Sequence, residues 1–269
     1  MPRVAIGLTI SSSDSSGGSG VQADVKTFSA LGVYAATAVT AVVAQDTRQT
    51  YGVVAMEPAF VSRQIDAVLG DLSVDVVKTG WLVDAATVEA VAERLAGAET
   101  VIVVVDPTIV AKDGSRLLDD AAVTALRERL LPLATVVTPN VDEAEALTGR
   151  KLGNWSDVRE AAAEIAALGA TNVVIMGGRR EGHVVADLLY DGKEYRDLAT
   201  DRVPTSSTMG TGAAFSSAMA ATLAKGESVP HSAAAAKAYV TKALQNAYEL
   251  GHGNGPPHHF YRYWRPLRE

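Results

Sequence analysis

Short runs rich in β-branched apolar residues alternate along this chain with longer stretches of helical periodicity. That alternation is the pattern of βαβ units around a mostly parallel sheet. We predict strands over residues 4–10, 34–43, 74–78, 101–105, 135–138 and 173–176. The helices between them are predicted over residues 22–31, 58–69, 85–95, 120–130, 142–147 and 157–168. The pattern therefore predicts an α/β fold, with a central mostly parallel sheet flanked by helices.

The last third of the chain has a different pattern. Residues 184–190 and 194–198 flank the dipeptide Asp191-Gly192, which is typical of a β-hairpin late in the chain. Two Ala-rich helices are predicted after it, over residues 213–223 and 232–250. Because no low-complexity linker, charge block or internal repeat interrupts the sequence, we expect residues 1–269 to form a single domain.

Composition excludes several functional classes. The chain has 269 residues, a formal net charge of −7 and no cysteine. Without cysteine there is no disulfide scaffold and no thiolate nucleophile, so we expect a reducing, cytoplasmic setting. No apolar run approaches the roughly 18 residues of a membrane-spanning helix. The negative charge argues against a nucleic-acid partner, since binding to phosphate backbones depends on clustered Lys and Arg.

A first candidate site lies in the Ser/Gly loop over residues 11–20, between a predicted strand and a predicted helix. Asp24 lies one turn into that helix and Gln45 just past the next strand. Both are expected to face the crevice at the carboxyl edge of the sheet, where ligands bind in open α/β folds. The alternative is that Asp24 only stabilises the start of the helix and that Gln45 is an ordinary polar residue at a strand end.

A second candidate site is the loop Gly210-Thr211-Gly212, which opens an Ala-rich helix. The amides at the beginning of a helix have no partner within the helix and attract anions. The loop is therefore predicted to bind phosphate. A tight turn that needs glycine for its positive φ is the alternative.

Four further polar residues follow predicted strands: Asp106, Lys112, Asn140 and Glu143. They supply two acids, a cation and an amide. Such groups suit Mg²⁺ that carries nucleotide phosphates, because this ion takes one or two carboxylates and keeps several waters.

Ordered motifs over nearly the whole chain resemble the hydroxymethylpyrimidine/phosphomethylpyrimidine kinases of thiamine biosynthesis. They are Asp14-Ser15-Ser16-Gly17-Gly18, Gly20-Val21-Gln22-Ala23-Asp24, Ala44-Gln45, Lys78-Thr79-Gly80, Val110-Ala111-Lys112, Thr138-Pro139-Asn140, Gly210-Thr211-Gly212 and Gly251-His252-Gly253. The resemblance implies a ribokinase-like fold, ATP, Mg²⁺, a homodimer and a small-molecule substrate with a hydroxymethyl group on an aminopyrimidine. It also implies that Asp24 and Gln45 line the acceptor pocket and that the glycine loop forms an anion hole.

The chain departs from that family at the site itself. Ala213 stands where the family usually has cysteine, Met209 where it has histidine, and Met176 where it has lysine. Trp81 replaces a methionine that packs on the pyrimidine, and Ser12 replaces a glycine of the first loop. Arg179 or Arg180 could restore the missing positive charge, although a solvated surface pair is an equal interpretation.

The first hypothesis is a diverged kinase of this family. Asp106 and Glu143 would bind Mg²⁺, and Lys112 and Asn140 would orient the nucleotide. The backbone of Gly210, Thr211 and Gly212 would stabilise the transferred group. Asp24, Gln45, Trp81 and Ser12 would hold the acceptor. Ala213 cannot accept a proton, so an acceptor that is already ionised would need no base. The alternatives are an enzyme that acts on another acceptor (a carboxylate, a phosphate or an amine) and a catalytically weakened ligand-binding homologue.

Overall fold

The computed structural model describes residues 3–98, 101–111, 114–179 and 182–264. Within these ranges, nine strands form one sheet in the order β3-β2-β1-β4-β5-β6-β7-β8-β9. The strands are β1 (Ile6–Asp14), β2 (Tyr34–Gln45), β3 (Thr50–Ala55), β4 (Val76–Thr79), β5 (Ile102–Val105), β6 (Val136–Val137), β7 (Val173–Arg179), β8 (Val184–Tyr190) and β9 (Tyr195–Asp201). Strands β2, β1, β4, β5, β6 and β7 are mutually parallel, whereas β3 and the β8–β9 hairpin are antiparallel additions at the two edges.

Helices cover both faces of the sheet. They are α1 (Gly20–Ala30), α2 (Pro58–Leu69), α3 (Ala85–Ala96), α4 (Asp120–Ala125), α5 (Val141–Thr148), α6 (Trp155–Ala167), α7 (Thr211–Leu223) and α8 (Val229–Gln245). Helix α4 continues as a π-helical turn over Leu126–Leu130 and a 3₁₀ turn over Leu131–Leu133. In the described residues, no helix is both long enough and apolar enough to cross a membrane.

Two apolar cores result, one on each face of the sheet. Successive side chains of a strand point to opposite faces. In β5, Val103 and Val105 therefore pack in the core formed with α2 to α6, whereas Val104 packs in the core formed with α1, α7 and α8. A buried parallel sheet of this kind needs apolar residues on both faces, which is why its strands are continuous apolar runs in the sequence.

The sequence pattern identified the helices and the hairpin but missed two features of the first strands. Strand β1 reaches Asp14 because its backbone pairs with β2 as far as Val43, so residues 11–14 are strand and not loop. Ladder hydrogen bonds use backbone groups that serine supplies as well as valine does. Strand β3 was missed because all six of its residues are exposed, which leaves no apolar alternation to detect. The last helix also ends at Gln245, five residues earlier than the predicted Leu250.

The parallel strands place their carboxyl ends at one edge of the sheet. Gln45 ends β2, Trp81 lies two residues after β4, and Asp106 follows β5 directly. This edge therefore collects the polar residues that the sequence singled out.

Candidate active site

Asp14 organises the Ser/Gly loop from the end of β1. One of its carboxylate oxygens accepts hydrogen bonds from the backbone N–H and the hydroxyl of Ser16, each at 2.8 Å. The other accepts from the backbone N–H of Ser19 at 2.8 Å and from its hydroxyl at 2.7 Å. Four donors on one buried carboxylate fix the loop in a single conformation just before α1 begins.

The second loop touches the first at Gly210. This residue has φ of 70°, and a Cβ atom there would lie 2.1 Å from the carbonyl oxygen of Gly18. Glycine is required at this position both by the left-handed backbone and by the close approach. The contact brings the start of α7 against the Ser/Gly loop at the carboxyl edge of the sheet.

The first turn of α7 is open to an anion. The N-cap residue Gly210 has no side chain, and no side-chain hydrogen bond closes the helix end. In the described part of the chain, the amides of Gly212 and Ala213 donate to no backbone acceptor outside the helix. A Cβ atom at Gly212 would have Met176 Cε as its nearest neighbour, at 3.7 Å. Free amides at the positive end of a helix dipole form a site for a phosphate group.

A buried ion network lies beneath this turn. Lys78 Nζ donates to both carboxylate oxygens of Asp24, at 3.0 and 3.1 Å. Asp24 also accepts from Thr9 Oγ1 at 2.6 Å and from Ser217 Oγ at 2.7 Å. Asp24 is 0 % exposed and Lys78 is 1 % exposed. The structure therefore places Asp24 inside the protein, where its carboxylate accepts four hydrogen bonds from protein groups.

Lys78 also connects this network to Asp106. Its ammonium nitrogen lies 3.6 Å from Asp106 Oδ2, which also accepts from Ser216 Oγ at 2.9 Å. Burial alone would lower the pKa of Lys78, but the negative charges of Asp24 and Asp106 outweigh it and raise that pKa above its ordinary value. The lysine therefore stays charged between two carboxylates, each of which is also held by α7.

Glu143 and Asn140 cap helix α5. Asn140 Oδ1 accepts from the backbone N–H of Glu143, and Glu143 Oε2 accepts from the backbone N–H of Asn140, both at 2.9 Å. Glu143 Oε1 accepts from the backbone N–H of Ile109 at 3.2 Å. Burial and the nearby charge of Asp106 raise the pKa of Glu143 to about 8, against the opposing effect of these hydrogen bonds. Both residues are therefore engaged in a capping box, a local role that the sequence analysis did not include.

The other predicted acceptor residues lie along the edge of β1, β2 and β4. Gln45 is half-buried, and its side-chain amide donates to Ser19 Oγ at 3.3 Å. Ser12 is 7 % exposed in β1. Trp81 is half-buried, and its indole N–H donates to the carbonyl oxygen of Leu117 at 3.1 Å. Lys112 and Arg180 lie outside the described residues, as does the side chain of Arg179.

The carboxylates at this edge could bind Mg²⁺ together with the phosphates of a nucleotide. Asp106 and Glu143 lie close enough for their charges to interact, and oxygen donors of this kind suit Mg²⁺. Of the two, Glu143 has both oxygens bound by backbone N–H groups, whereas Asp106 accepts from side-chain hydroxyls of Thr108 and Ser216. Asp106 is therefore the better candidate to hold the ion.

The model of the family described as phosphomethylpyrimidine kinase matches residues 14–258 of this chain. The chain belongs to the phosphomethylpyrimidine kinase family. The hydroxymethylpyrimidine/phosphomethylpyrimidine kinase of Rhizobium meliloti is 45% identical over 266 residues, covering 97% of this chain and 99% of that protein. The bifunctional thiamine biosynthesis protein of Geobacter sulfurreducens is 45% identical over 258 residues, but the chain spans only 52% of its length.

Solved structures with the same fold include a pyridoxal kinase and a phosphomethylpyrimidine kinase. The ADP complex of Bacillus subtilis pyridoxal kinase is 38% identical, with a TM-score of 0.90 over 96% of this chain and 98% of that one. The phosphomethylpyrimidine kinase of Clostridium difficile is 34% identical, with a TM-score of 0.80 over 89% of this chain and 99% of that one. These matches confirm the family and the ribokinase-like fold that the sequence motifs implied.

Sequence reasoning missed the members of the ion network other than Asp24 and Asp106. Lys78 was noted only as part of a motif, and Ser216 and Ser217 were not singled out. A lysine inside an otherwise apolar strand, and two serines inside an Ala-rich helix, were the available signals. Buried polar residues need hydrogen-bond partners, so a buried lysine in a strand predicts buried polar residues in the elements packed against it.

Proposed function

We propose that this protein is an ATP-dependent kinase that phosphorylates a hydroxymethylpyrimidine or its monophosphate. The observation that carries the proposal is the open first turn of α7, held against the Ser/Gly loop through Gly210, in a chain that matches this kinase family almost end to end. Positioned amides that stabilise developing charge are the main catalytic device in phosphoryl transfer.

The residues divide into a donor side and an acceptor side. On the donor side, Lys112 and Asn140 orient the nucleotide. Asp106 holds Mg²⁺, and Glu143 lies near Asp106. When bound, this ion neutralises charge on the phosphates. Gly210, Thr211 and Gly212 stabilise the transferred group through backbone N–H groups. Gln45, Trp81 and Ser12 form the acceptor side, with the Trp81 ring as a flat wall.

Asp24 has a different role in this proposal from the one that the resemblance implied. Its carboxylate is fully buried and bound by Lys78, Thr9 and Ser217. We assign it to positioning α7 and not to contact with the acceptor.

The first turn of α7 favours an acceptor that is already ionised. In the reaction, the bond between the terminal phosphorus of ATP and its bridging oxygen breaks, and a bond to the acceptor oxygen forms. An alcohol must also lose a proton, whereas a phosphate monoester, with a second pKa near 6, offers an unprotonated oxygen at neutral pH. Residues 209–214 are Met, Gly, Thr, Gly, Ala and Ala, so this turn carries no base. General-base help is worth about 10²–10⁴-fold, and its loss slows transfer to alcohols selectively.

Pyridoxal is a second candidate acceptor. A Staphylococcus aureus pyridoxal kinase solved with AMP-PCP and pyridoxal is 34% identical, with a TM-score of 0.88 over 97% of this chain. The deciding experiment incubates the purified protein with MgATP and hydroxymethylpyrimidine, its monophosphate or pyridoxal, and follows phosphate transfer by mass spectrometry. Transfer to either pyrimidine supports the proposal, transfer to pyridoxal alone supports the second candidate, and transfer to none supports a ligand-binding homologue.

We also propose that the protein is a homodimer formed through β2 and β3. Val42 and Val54 are cross-strand neighbours at this edge and are 48% and 65% exposed, and Tyr51 of the same β3 strand is 61% exposed. Exposed large apolar side chains on an edge strand are typical of interaction sites. Analytical ultracentrifugation tests the proposal: the wild type should sediment as a dimer and the Val54→Asp variant as a monomer. A monomeric wild type would contradict it.

A further inference from the structure

The segment of residues 251–255, here called the strap, crosses the site from the acceptor side to the anion hole. Its first half is fastened to Thr47, two residues past β2. Thr47 Oγ1 accepts from the backbone N–H of His252 at 3.2 Å and of Gly253 at 3.0 Å, and the Thr47 carbonyl accepts from the backbone N–H of Asn254 at 2.7 Å. Three hydrogen bonds thus join the strap to the loop that follows Gln45.

Two glycines allow this close contact. A Cβ atom at Gly251 would lie 2.5 Å from Thr47 Oγ1, and one at Gly253 would lie 2.2 Å from the Thr47 carbonyl oxygen. Both distances are shorter than any real contact of a Cβ atom. The strap therefore lies directly on the backbone of Thr47, at a distance that a larger residue would not allow.

The second half of the strap holds the segment before α7. Asn254 Oδ1 accepts from both the backbone N–H and the hydroxyl of Thr208, each at 3.0 Å. The carbonyl oxygen of Gly255 accepts from the backbone N–H of Met209 at 2.9 Å. Thr208 in turn accepts, through its carbonyl oxygen, from Thr211 Oγ1 at 2.7 Å. Asn254 therefore bonds the loop after Gln45 through its backbone N–H and Thr208 through its side chain, and Thr208 bonds the first residue of α7.

We propose that Asn254 is a positioning residue for phosphoryl transfer. Through Thr208 it fixes the segment of residues 209–213, which carries the free amides of Gly212 and Ala213, relative to the loop that follows Gln45. The carboxamide oxygen suits this role because it accepts two hydrogen bonds at once. The proposal rests on the proposed function, since phosphoryl transfer is the reaction that the geometry serves.

The kinetic test compares Asn254→Ala with the wild type on the best acceptor. The variant should lose at least about tenfold in kcat, with KM for ATP and for the acceptor within about threefold, because Asn254 acts on the anion hole and not on substrate. Asn246→Ala is the matched control: Asn246 is exposed, and its side-chain amide donates to the Lys242 carbonyl near the end of α8 at 2.8 Å. A fall in kcat no larger than in this control would overturn the proposal.

Amide hydrogen exchange tests the same role without turnover. Asn254→Ala should speed exchange at Thr208 and Met209, whose amides donate to Asn254 and Gly255, at least about tenfold in the free protein, while Asn246→Ala leaves it unchanged. Asn254→Asp should restore protection, because a carboxylate oxygen accepts the same two hydrogen bonds from Thr208. Unchanged exchange in Asn254→Ala contradicts the role of Asn254, whereas a wild type that transfers no phosphate contradicts the proposed function.

Discussion

Lys78 Nζ lies 3.0 Å from Asp24 Oδ1, with both side chains sealed from solvent beneath the start of α7. The same nitrogen lies 3.6 Å from Asp106 Oδ2 at the edge of the sheet. Ser217 donates to Asp24 and Ser216 donates to Asp106, so α7 is fastened to both ends of this charged chain. The helix whose first turn binds phosphate in our account is thus held by Asp24 of α1 and by Asp106 just after β5, and Lys78 of β4 links these two carboxylates.

Removal of the central cation should destabilise the protein strongly. Lys78→Met leaves two buried carboxylates without their partner, and breaking a buried ion pair in this way costs about 3–5 kcal/mol of unfolding free energy. Urea denaturation measures the loss. Lys151→Met is the control, because Lys151 pairs with Glu145 at a surface position where its side chain is 92% exposed. That variant should unfold close to the wild type, and equal losses in both variants would contradict the importance of the network.

The contact between the two loops predicts a second stability effect. Gly210→Ala places a Cβ atom 2.1 Å from the Gly18 carbonyl oxygen, so the loops must separate in addition to accepting a strained left-handed residue. Gly226→Ala is the control: its φ is 85°, but no atom lies within 4 Å of the added Cβ. The control should lose only about 1–2 kcal/mol for the left-handed conformation. The Gly210 variant should lose clearly more in denaturant unfolding, and an equal loss would show that the loops do not need this contact.

The anion hole predicts an effect of charge at Gly212. Gly212→Asp should abolish turnover while the protein stays folded, because the nearest atom to the added Cβ is Met176 Cε at 3.7 Å and the carboxylate repels the transferred phosphate. Gly212→Asn has nearly the same shape without the charge and should retain more activity by about 10²-fold or more. Steady-state kinetics together with circular dichroism checks both variants. Retained turnover in Gly212→Asp would rule out the anion-hole role.

Glu143 predicts a pH dependence of stability. Its pKa is raised to about 8 in the folded protein, so the fold prefers the protonated form. Between its ordinary pKa and about 8 the unfolded chain binds fewer protons, and this group therefore makes stability fall as pH rises, by at most about 1.4 kcal/mol per pH unit. Glu143→Gln removes that titration. In urea unfolding without Mg²⁺, the unfolding free energy of the wild type should fall from pH 5 to pH 8 relative to that of Glu143→Gln. A constant difference between the two proteins would contradict the raised pKa.

How much of the fold the sequence predicts depends on burial. Helix α2 lies where the periodicity put it, because its apolar face packs on the sheet and leaves a clear pattern in residues 58–69. Strand β3 leaves no such pattern, since its side chains are exposed and only its backbone pairs with β2. Local pattern therefore finds the elements that bury a face and misses those held by backbone pairing alone.

The candidate site shows the same limit. The sequence located Gly210 through the glycine loop, and the structure adds that its φ is positive and that Gly18 lies against it. For Asp24 the sequence located the helix but not the face that packs inward, because that face depends on Lys78, which is 54 residues further along the chain. Asn254 and Thr208 are likewise joined only by the folded chain. Short-range motifs identify loops and helix ends, whereas partners distant in sequence require the structure.

The most direct test of the account is a comparison of hydroxymethylpyrimidine with its monophosphate as acceptors of phosphate from MgATP. The wild type should prefer the monophosphate in kcat/KM by at least about 10²-fold, because the α7 turn supplies an anion hole but no base. Ala213→Cys, which adds a thiol that ionises near pH 8.5, should raise turnover of the alcohol and leave that of the monophosphate nearly unchanged. Equal use of both acceptors by the wild type, or no transfer to either by both proteins, would contradict the account.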